Sequence, residues 1–191
     1  MDFFEVLKQR RSIRRYKPDA VKRQDIEKIF DAANWAPSGM NLQQWEFIVV
    51  SKDKIKILGN NFKATVEEFT KDWDEPADTK LERLKFAASF GDAPHIIVVL
   101  TDKTDDSNYQ KAHLESASAA MENMLLAATA LGLGTCWMTG PLRDEKSLRE
   151  LLEIPDDKEL VAVTPLGYPA FIPQPLKRVD PDLIKKVRWL E

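Results

Sequence analysis

The residues best suited to chemistry form a basic cluster near the start of the chain, where six of the ten residues 8–17 are lysine or arginine. Its central run, Arg10-Arg11-Ser12-Ile13-Arg14-Arg15, combines guanidinium groups with a hydroxyl, and such groups donate charge-assisted hydrogen bonds to a phosphate dianion. Ile13, the apolar residue of the run, is expected to anchor it in the core. The alternative interpretation is a solvated patch at a helix C-terminus, which the helix dipole favours.

A second candidate segment, residues 36–45 (APSGMNLQQW), has small and amide-bearing residues between a predicted helix and a predicted strand. Loops in such positions often carry binding groups. The amides of Asn41 and Gln43 offer both donors and acceptors, as the edge of a heterocycle requires. Ordinary turn chemistry explains the same composition without a ligand, because Pro, Ser, Gly and Asn all favour turns.

Composition argues against several other kinds of site. The net charge is -3 and the pI about 5.6, whereas nucleic-acid-binding domains usually carry a global basic excess. The single cysteine, Cys136, cannot form an internal disulfide, and we predict that it is a buried packing residue rather than a nucleophile. The two histidines, His95 and His113, have no nearby cysteine partners for a zinc site, and we assign neither a catalytic role.

Targeting signals and common cofactor motifs are also missing from the sequence. No apolar stretch approaches the roughly 20 residues that cross a bilayer. The N-terminus lacks the basic start and apolar core of a secretory signal, so we predict a cytoplasmic protein without a membrane contact. Gly132-x-Gly134 starts like a dinucleotide fingerprint, but the third glycine would fall on Trp137, and no Walker A, HExxH or G-x-S-x-G sequence occurs.

Hydrophobic periodicity predicts an alternation of helices and strands. Predicted helices follow an N-cap at Asp2 and cover residues 23–36, 107–131, 144–152 and 181–190, and residues 52–92 are largely helical with an interruption at 74–78. Predicted strands cover residues 45–50, 95–101, 135–138 and 159–166. The second strand is apolar on both faces, which favours a position inside a covered sheet. The alternation predicts one α+β domain, residues 1–191, around one sheet.

Five segments, taken in order, resemble the nitroreductase family of flavoproteins. The family's Arg-Arg/His-Ser-x-Arg/Lys-x-Phe/Tyr pattern matches residues 10–16, and its Ala-Pro-Ser-x-x-Asn-x-Gln-Pro-Trp pattern matches residues 36–45. The resemblance continues through residues 132–140, residues 165–169 and the basic pair Lys177-Arg178. The clearest departure is Gln44, where the family usually has proline.

The resemblance implies a three-layer α/β/α fold, with a mostly antiparallel central sheet flanked by helices and a long central helix at the interface of a homodimer. It also implies an FMN site between the two subunits. The cofactor-binding residues that carry over fall into three groups. At the phosphate and ribityl chain they are Arg10, Arg11, Ser12 and Arg14, with Lys177 or Arg178. From the other subunit they are Pro37, Ser38 and Gly39 against the ring, with Asn41 and Gln43 positioning it or bracing the loop. At flavin N5 and O4 they are backbone N–H groups around Met138, Thr139 and Gly140.

The activity implied by the resemblance is hydride transfer from NADH or NADPH through flavin N5 to a nitroaromatic, quinone or related acceptor, by a ping-pong mechanism. No catalytic side chain and no metal are expected. Alternatives are a flavoenzyme of the same fold with a specialised substrate (dehalogenation, flavin fragmentation, dehydrogenation), a flavin-binding protein with little turnover, and a nucleic-acid contact through the basic cluster. Aromatic residues of the segment 62–92, including Phe69 and Trp73, could cover the flavin or only pack helices, and Asn60 and Lys63 could contact its pyrimidine side.

Overall fold

The computed structural model describes residues 2–190, arranged around a four-stranded sheet. Its strands are β1 (Trp45–Ser51), β2 (His95–Asp102), β3 (Gly134–Thr135) and β4 (Lys158–Gly167), in the order β1-β2-β4-β3, and every neighbouring pair is antiparallel. The helices are α1 (Phe3–Gln9), α2 (Arg23–Asn34), α3 (Asp53–Phe69), α4 (Ala77–Ser89), α5 (Ser107–Ala130) and α6 (Glu145–Leu152). Short 3-10 helices cover Gly39–Asn41 and Gly140–Asp144. Within the described residues, no helix has the length and apolarity needed to cross a membrane.

The central strand β2 separates two hydrophobic cores because its side chains alternate between the faces of the sheet. Ile96, Val98 and Leu100 pack with α3, α4 and α6, whereas Ile97 and Val99 pack with α2 and α5. All five side chains are fully buried. The resulting three layers confirm the predicted α+β fold with its antiparallel sheet flanked by helices.

The long helix α5 begins and ends as its sequence predicts. The Asp106 carboxylate accepts hydrogen bonds from backbone N–H groups of the first turn, and Gly132 follows the last turn with a φ of 75°. Ala117 and Ala120 are fully buried, and such small side chains let α2 and the sheet approach closely. Asp144 caps α6 in the same way as Asp106 caps α5.

The predicted C-terminal helix at residues 181–190 is wrong. That part of the chain contains turns and irregular backbone, and the φ of 60° at Leu183 is incompatible with a right-handed helix. The side chains of Ile184 and Trp189 are 78% and 83% exposed. A short helix needs an apolar face packed against the fold, and this segment lacks that support.

The predicted strand at residues 135–138 is shorter than expected. Only Gly134 and Thr135 belong to the ladder with β4, and Met138 rejoins it through an isolated bridge to Val163. Between them, the Cys136 N–H donates to a side-chain hydroxyl of β4 at 3.1 Å instead of to a main-chain carbonyl. The chain therefore bends away from the sheet just before residues 139 and 140.

Candidate functional site

The basic segment, residues 10–16, leaves α1 and is fixed to the fold by main-chain hydrogen bonds. The Ile13 N–H donates to the Thr135 carbonyl oxygen in β3 at 2.8 Å, and the Tyr16 N–H donates to the Gly91 carbonyl oxygen at 2.9 Å. Ile13 and Tyr16 are both buried, whereas the hydrophilic residues between and before them face outward. The expected anchoring role of Ile13 is thus found in the structure.

Two glycines allow this close approach of the basic segment. At Gly91, φ is 69° and an added Cβ would lie 2.2 Å from the Arg14 carbonyl oxygen. At Gly134, an added Cβ would lie 2.7 Å from the Ile13 side chain. No larger residue fits either position without displacing its neighbour. The basic segment therefore packs directly against the main chain at Gly91 and at Gly134.

The arginines of the basic segment have different environments. Arg11 Nη1 donates to the carbonyl oxygens of Lys8 at 2.6 Å and Arg10 at 2.7 Å, so this guanidinium closes the C-terminal end of α1. Arg10 Nε lies 3.7 Å from Glu122 Oε1 on α5. Arg14 is exposed and, within residues 2–190, has no carboxylate within 4 Å. Of the three, Arg14 has the guanidinium most available to an added anion.

Ser12 and Arg14 border the same cleft of about 440 Å³, together with Arg15, Phe171 and Pro173. A hydroxyl and a guanidinium at one cleft suit an anion that accepts several hydrogen bonds. The apolar side of the cleft comes from the C-terminal segment. The structure thus brings two of the predicted phosphate-binding residues together.

The buried groups behind the basic segment are neutral at ordinary pH. Burial raises the pKa of the Tyr16 phenol, whose hydroxyl donates to the Ile13 carbonyl oxygen at 2.7 Å. Burial also raises the pKa of the Cys136 thiol, with a smaller lowering effect from the Arg14 charge and from a hydrogen bond with Ser12. Cys136 is 3% exposed and is therefore a packing residue, as predicted, because a nucleophilic cysteine needs an accessible thiolate.

The amide loop, residues 37–44, is held in a strained conformation. Met40, Asn41 and Gln43 all have positive φ, at 52°, 55° and 50°. Ser38 Oγ accepts from the Gln43 N–H at 3.1 Å, and Gln43 Nε2 donates to Asn41 Oδ1 at 2.9 Å. These side chains brace the loop, which is one of the two roles expected for Asn41 and Gln43. Pro37, at the start of the loop, is exposed.

Gly39 joins the amide loop to α5, because its N–H donates to Ser116 Oγ at 3.2 Å. Six residues further along α5 lies Glu122, the partner of Arg10. At about 100° per residue, Ser116 and Glu122 point to directions about 120° apart around the helix. Within one chain, the amide loop and the basic segment therefore meet different faces of α5.

The third predicted contact, residues 138–140, needs one correction. The Met138 N–H donates to the Val163 carbonyl oxygen at 2.9 Å, and the Val163 N–H donates back at the same distance. The main chain of Met138 is therefore a sheet partner and not a free donor. Thr139 is exposed, and Gly140 begins the 3-10 helix so close to α3 that an added Cβ would lie 3.1 Å from the Phe62 ring.

The C-terminal segment passes beside the basic segment after β4. Tyr16 forms an antiparallel bridge with Pro169, and the Ala170 N–H donates to the Arg15 carbonyl oxygen at 2.9 Å. The basic pair Lys177-Arg178 is exposed, and no hydrogen bond or ion pair of the described residues joins it to the basic segment. The structure thus brings the chain near the cleft but not these two side chains.

A sequence model of the nitroreductase family matches residues 7–168 of the chain. The chain belongs to the nitroreductase family. The match includes the basic segment, the amide loop and residues 138–140, so the resemblance that these motifs predict is confirmed.

Two relatives and one solved structure illustrate the family. A protein of Methanothermobacter thermautotrophicus with the provisional name NADH dehydrogenase/NAD(P)H nitroreductase is 35% identical over 99% of this chain and 88% of its own length. An iodotyrosine deiodinase of Thermotoga neapolitana is 29% identical over 87% of this chain and 88% of its own length. A provisionally assigned nitroreductase of Desulfovibrio desulfuricans, solved in complex with FMN, is 27% identical with a TM-score of 0.77, and the alignment covers 100% of this chain and 99% of that chain.

Gln44 is where this member of the nitroreductase family departs from the usual proline. Its side chain is buried, with 6% exposure. Within residues 2–190, neither the Oε1 nor the Nε2 atom has a hydrogen-bond partner. A buried amide without partners destabilises the folded state, whereas a proline ring in that place would bring no polar side chain.

Several contacts of the site could not be found in the sequence. Arg10 meets Glu122 and Gly39 meets Ser116 across long stretches of chain, and no local pattern marks the partners. Gly134 lies directly before the predicted strand at residues 135–138 and belongs to β3 in the structure, where a glycine often marks close backbone approach. Among the residues considered for the pyrimidine side of the flavin in this family, Lys63 Nζ lies 3.6 Å from Glu67 Oε1 and Asn60 is exposed.

Proposed function

We propose that this protein is an FMN-dependent oxidoreductase of the nitroreductase type. The observation that supports the proposal best is the position of the basic segment. Its Ser12 and Arg14 side chains border one cleft, and its main chain is hydrogen-bonded to β3 and to Gly91. A phosphate dianion offers the acceptors that these two side chains require. The FMN complex of the relative from Desulfovibrio desulfuricans supports the choice of cofactor.

The residues of the basic segment have different roles in binding the phosphate. Arg14 and Ser12 bind it directly, and Arg10 exchanges part of its pairing with Glu122 for the more strongly charged ligand. Arg11 acts through the backbone that its guanidinium holds in place. The basic pair Lys177-Arg178 joins them from the C-terminal segment, which already reaches the cleft at Pro173.

The ring of the cofactor lies near Thr139 and Gly140 in this proposal. Bound FMN supplies hydride transfer at N5, from NADH or NADPH to a nitroaromatic, quinone or related acceptor. Backbone N–H groups of Thr139 and Gly140 would donate hydrogen bonds to the ring and so favour its electron-rich form. No catalytic side chain and no metal take part. Parallel double-reciprocal plots are expected for the ping-pong mechanism, and intersecting lines would contradict it.

The same proposal includes a homodimer with one flavin site at each end of a shared interface. The basic segment and the amide loop meet different faces of α5, so a ligand that touches both motifs takes them from two chains. Pro37, Ser38 and Gly39 then come from the partner, with Asn41 and Gln43 bracing their loop. Apolar side chains that are exposed in the single chain, such as Trp35 (80%) and Leu176 (91%), support a surface that a partner subunit covers. Sedimentation of the flavin-loaded protein as a monomer would contradict the shared site.

We further propose that residues 1–191 act as a single flavin-binding domain. The two cores share the one sheet, which supports one folding unit. The cytoplasmic location stays a prediction.

An absorbance spectrum of the purified protein from about 300 to 600 nm tests the function first. Flavin bands that bleach on anaerobic addition of NADH or NADPH are the expected result. Absence of flavin, even after incubation with FMN, would mean that the basic segment and the amide loop are a solvated patch and an ordinary turn. A bound flavin that neither nucleotide reduces would favour a flavin-binding protein with little turnover.

Reductive dehalogenation is the second candidate, favoured by the iodotyrosine deiodinase of Thermotoga neapolitana among the relatives. Its similarity extends over most of both chains, so it bears on the whole fold and not on one motif. Turnover of 3-iodotyrosine with a kcat/KM far above that of a quinone or a nitroaromatic would establish this activity in place of the first.

A further inference from the structure

Four side chains next to the proposed flavin contacts form what we name the aromatic-guanidinium cluster: Phe69, Trp73, Arg83 and Arg143. The rings of Phe69 and Trp73 meet edge to face, with centroids 5.4 Å apart. Arg143 Cζ lies 3.7 Å from the centroid of Phe69, and Arg83 Cζ lies 4.7 Å from that of Trp73. One guanidinium group therefore lies over each of the two aromatic rings.

Packing of the core does not explain this cluster. Phe69 and Trp73 are 45% and 51% exposed, although large aromatic side chains gain most from burial. Phe62 and Val66, on the same face of α3, are buried, so the apolar stripe of the helix continues from the core onto open surface. A guanidinium over an exposed ring adds little to folding stability.

The cluster adjoins the residues proposed to contact the flavin ring. Phe62 touches the position of Gly140, and Phe69 follows two turns later on the same face of α3. Arg143 lies one 3-10 turn after Gly140, so its side chain leaves from the same side. Seven residues at 1.5 Å each put the two contacts about 10 Å apart along α3. A substrate ring stacked near Thr139 and Gly140 would reach the cluster with a substituent.

The two guanidinium groups differ in how their charge is balanced. Arg83 forms a two-pronged ion pair with Glu75, whose side chain is only 10% exposed. Arg143 is exposed, and within residues 2–190 no carboxylate lies within 4 Å of it. A guanidinium can lie flat on a ring and still donate its edge N–H groups to a carboxylate. The cluster therefore keeps one unbalanced positive charge beside an aromatic surface.

We propose that Phe69, Trp73 and Arg143 determine the acceptor specificity of this protein, and that they select aromatic acceptors with a negatively charged substituent such as a carboxylate. The inference rests on the proposed oxidoreductase function and names the substrate class of that site. The acceptor ring packs against the two aromatic side chains, and its anionic group pairs with Arg143. Arg83, fixed by Glu75, holds Trp73 in position.

Two acceptors of nearly equal size, 4-nitrobenzoate and 4-nitrobenzamide, test the inference because they differ mainly in charge. With the flavin-loaded protein and its nucleotide donor, the quantity measured is the ratio of kcat/KM for 4-nitrobenzoate to kcat/KM for 4-nitrobenzamide. Arg143→Gln should lower kcat/KM about 10-fold for 4-nitrobenzoate and less than about 2-fold for 4-nitrobenzamide. Phe69→Ala should lower both. Arg23→Gln, which removes an exposed arginine of α2, is the matched control and should change neither.

An unchanged ratio between the two acceptors in Arg143→Gln would overturn the inference. A raised KM for the nucleotide donor with an unchanged ratio would do the same, since Arg143 would then bind the donor's phosphates. Equilibrium dialysis of 4-nitrobenzoate separates this inference from the proposed function. If neither nucleotide reduces the flavin, the proposed function fails, but 4-nitrobenzoate should still bind Arg143→Gln about 10-fold more weakly than the unchanged protein. Equal binding of 4-nitrobenzoate by Arg143→Gln and by the unchanged protein would contradict the specificity inference and not the proposed function.

Discussion

Single residues of the basic segment have roles that their types alone do not reveal. Arg10, Arg11 and Arg14 are chemically identical, yet one pairs with Glu122, one closes a helix and one faces an open cleft. The sequence could predict that the segment suits a phosphate but not which guanidinium is available. That choice depends on where the main chain is fixed, and Gly91 and Thr135 fix it from distant parts of the sequence.

Arg14→Gln should weaken FMN binding about 10- to 100-fold, because a hydrogen bond to a charged group contributes about 1.5–3 kcal/mol. Quenching of flavin fluorescence during titration of the flavin-free protein gives the two dissociation constants. Arg23→Gln changes an exposed arginine on α2 and should bind FMN as the unchanged protein does. An Arg14→Gln protein with unchanged affinity would exclude Arg14 from the phosphate site.

Gln44→Met should stabilise the protein, because it removes a buried amide without partners and keeps a side chain of similar length. A gain of about 1–2 kcal/mol corresponds to roughly 2–6 °C in Tm for a chain of this size. Thermal unfolding of the flavin-free protein measures it, with Gln24→Met on the exposed face of α2 as the control. A lower Tm would show that the Gln44 amide is satisfied by solvent or by the partner chain.

At the scale of elements, the helices and strands were predicted from the sequence better than the contacts between them. The apolar run of β2 and the periodic segments at residues 107–131 and 144–152 are local signals, and each element forms where its signal lies. The prediction of a C-terminal helix that begins at Pro181 failed because a proline can begin a helix, but a short helix is stable only if the fold covers one of its faces. Residues 135–138 failed in part because a side-chain hydroxyl in β4 replaces a main-chain acceptor.

A matched pair of glycine substitutions tests how the elements seat the basic segment. Gly91 and Gly132 both have positive φ, but an added Cβ meets the Arg14 carbonyl only at Gly91, and at Gly132 it meets nothing within 4 Å. Gly132→Ala should therefore lose about 1–2 kcal/mol of stability from backbone strain alone. Gly91→Ala should lose more and also weaken FMN binding, as urea unfolding and flavin titration would measure. Equal losses of stability in Gly91→Ala and Gly132→Ala would contradict the conclusion that Gly91 allows the close approach of the basic segment.

At the scale of the whole molecule, the two cores on either side of one sheet bury groups that titrate at high pH. Tyr16 at the end of the basic segment and Cys136 directly after β3 are both buried, and burial raises the pKa of each. Neither effect is visible in the sequence, because it depends on elements that meet only in the folded chain.

The stability of the folded state should fall as pH rises above about 8.5. The unfolded chain releases these protons near pH 8.5 for cysteine and 10 for tyrosine, whereas the folded chain retains them. The unfolded state then binds fewer protons, so the free energy of unfolding decreases with pH. Urea midpoints at pH 8 and pH 10 measure the slope. The double variant Tyr16→Phe and Cys136→Ala should flatten this slope, whereas Tyr109→Phe, at an exposed position near the start of α5, should keep it.

The bridge between Tyr16 and Pro169 and the hydrogen bond between Ala170 and Arg15 join two segments that are far apart in the sequence. During synthesis on the ribosome, at about 5–20 residues per second, the basic segment is therefore made roughly 8 to 30 seconds before residues 169 and 170, its partners. Its guanidinium groups are open to polyanions such as ribosomal RNA for that time. The cleft that Ser12 and Arg14 share with Phe171 and Pro173 is thus completed late in synthesis, and a chain truncated before residue 169 should be unable to form it.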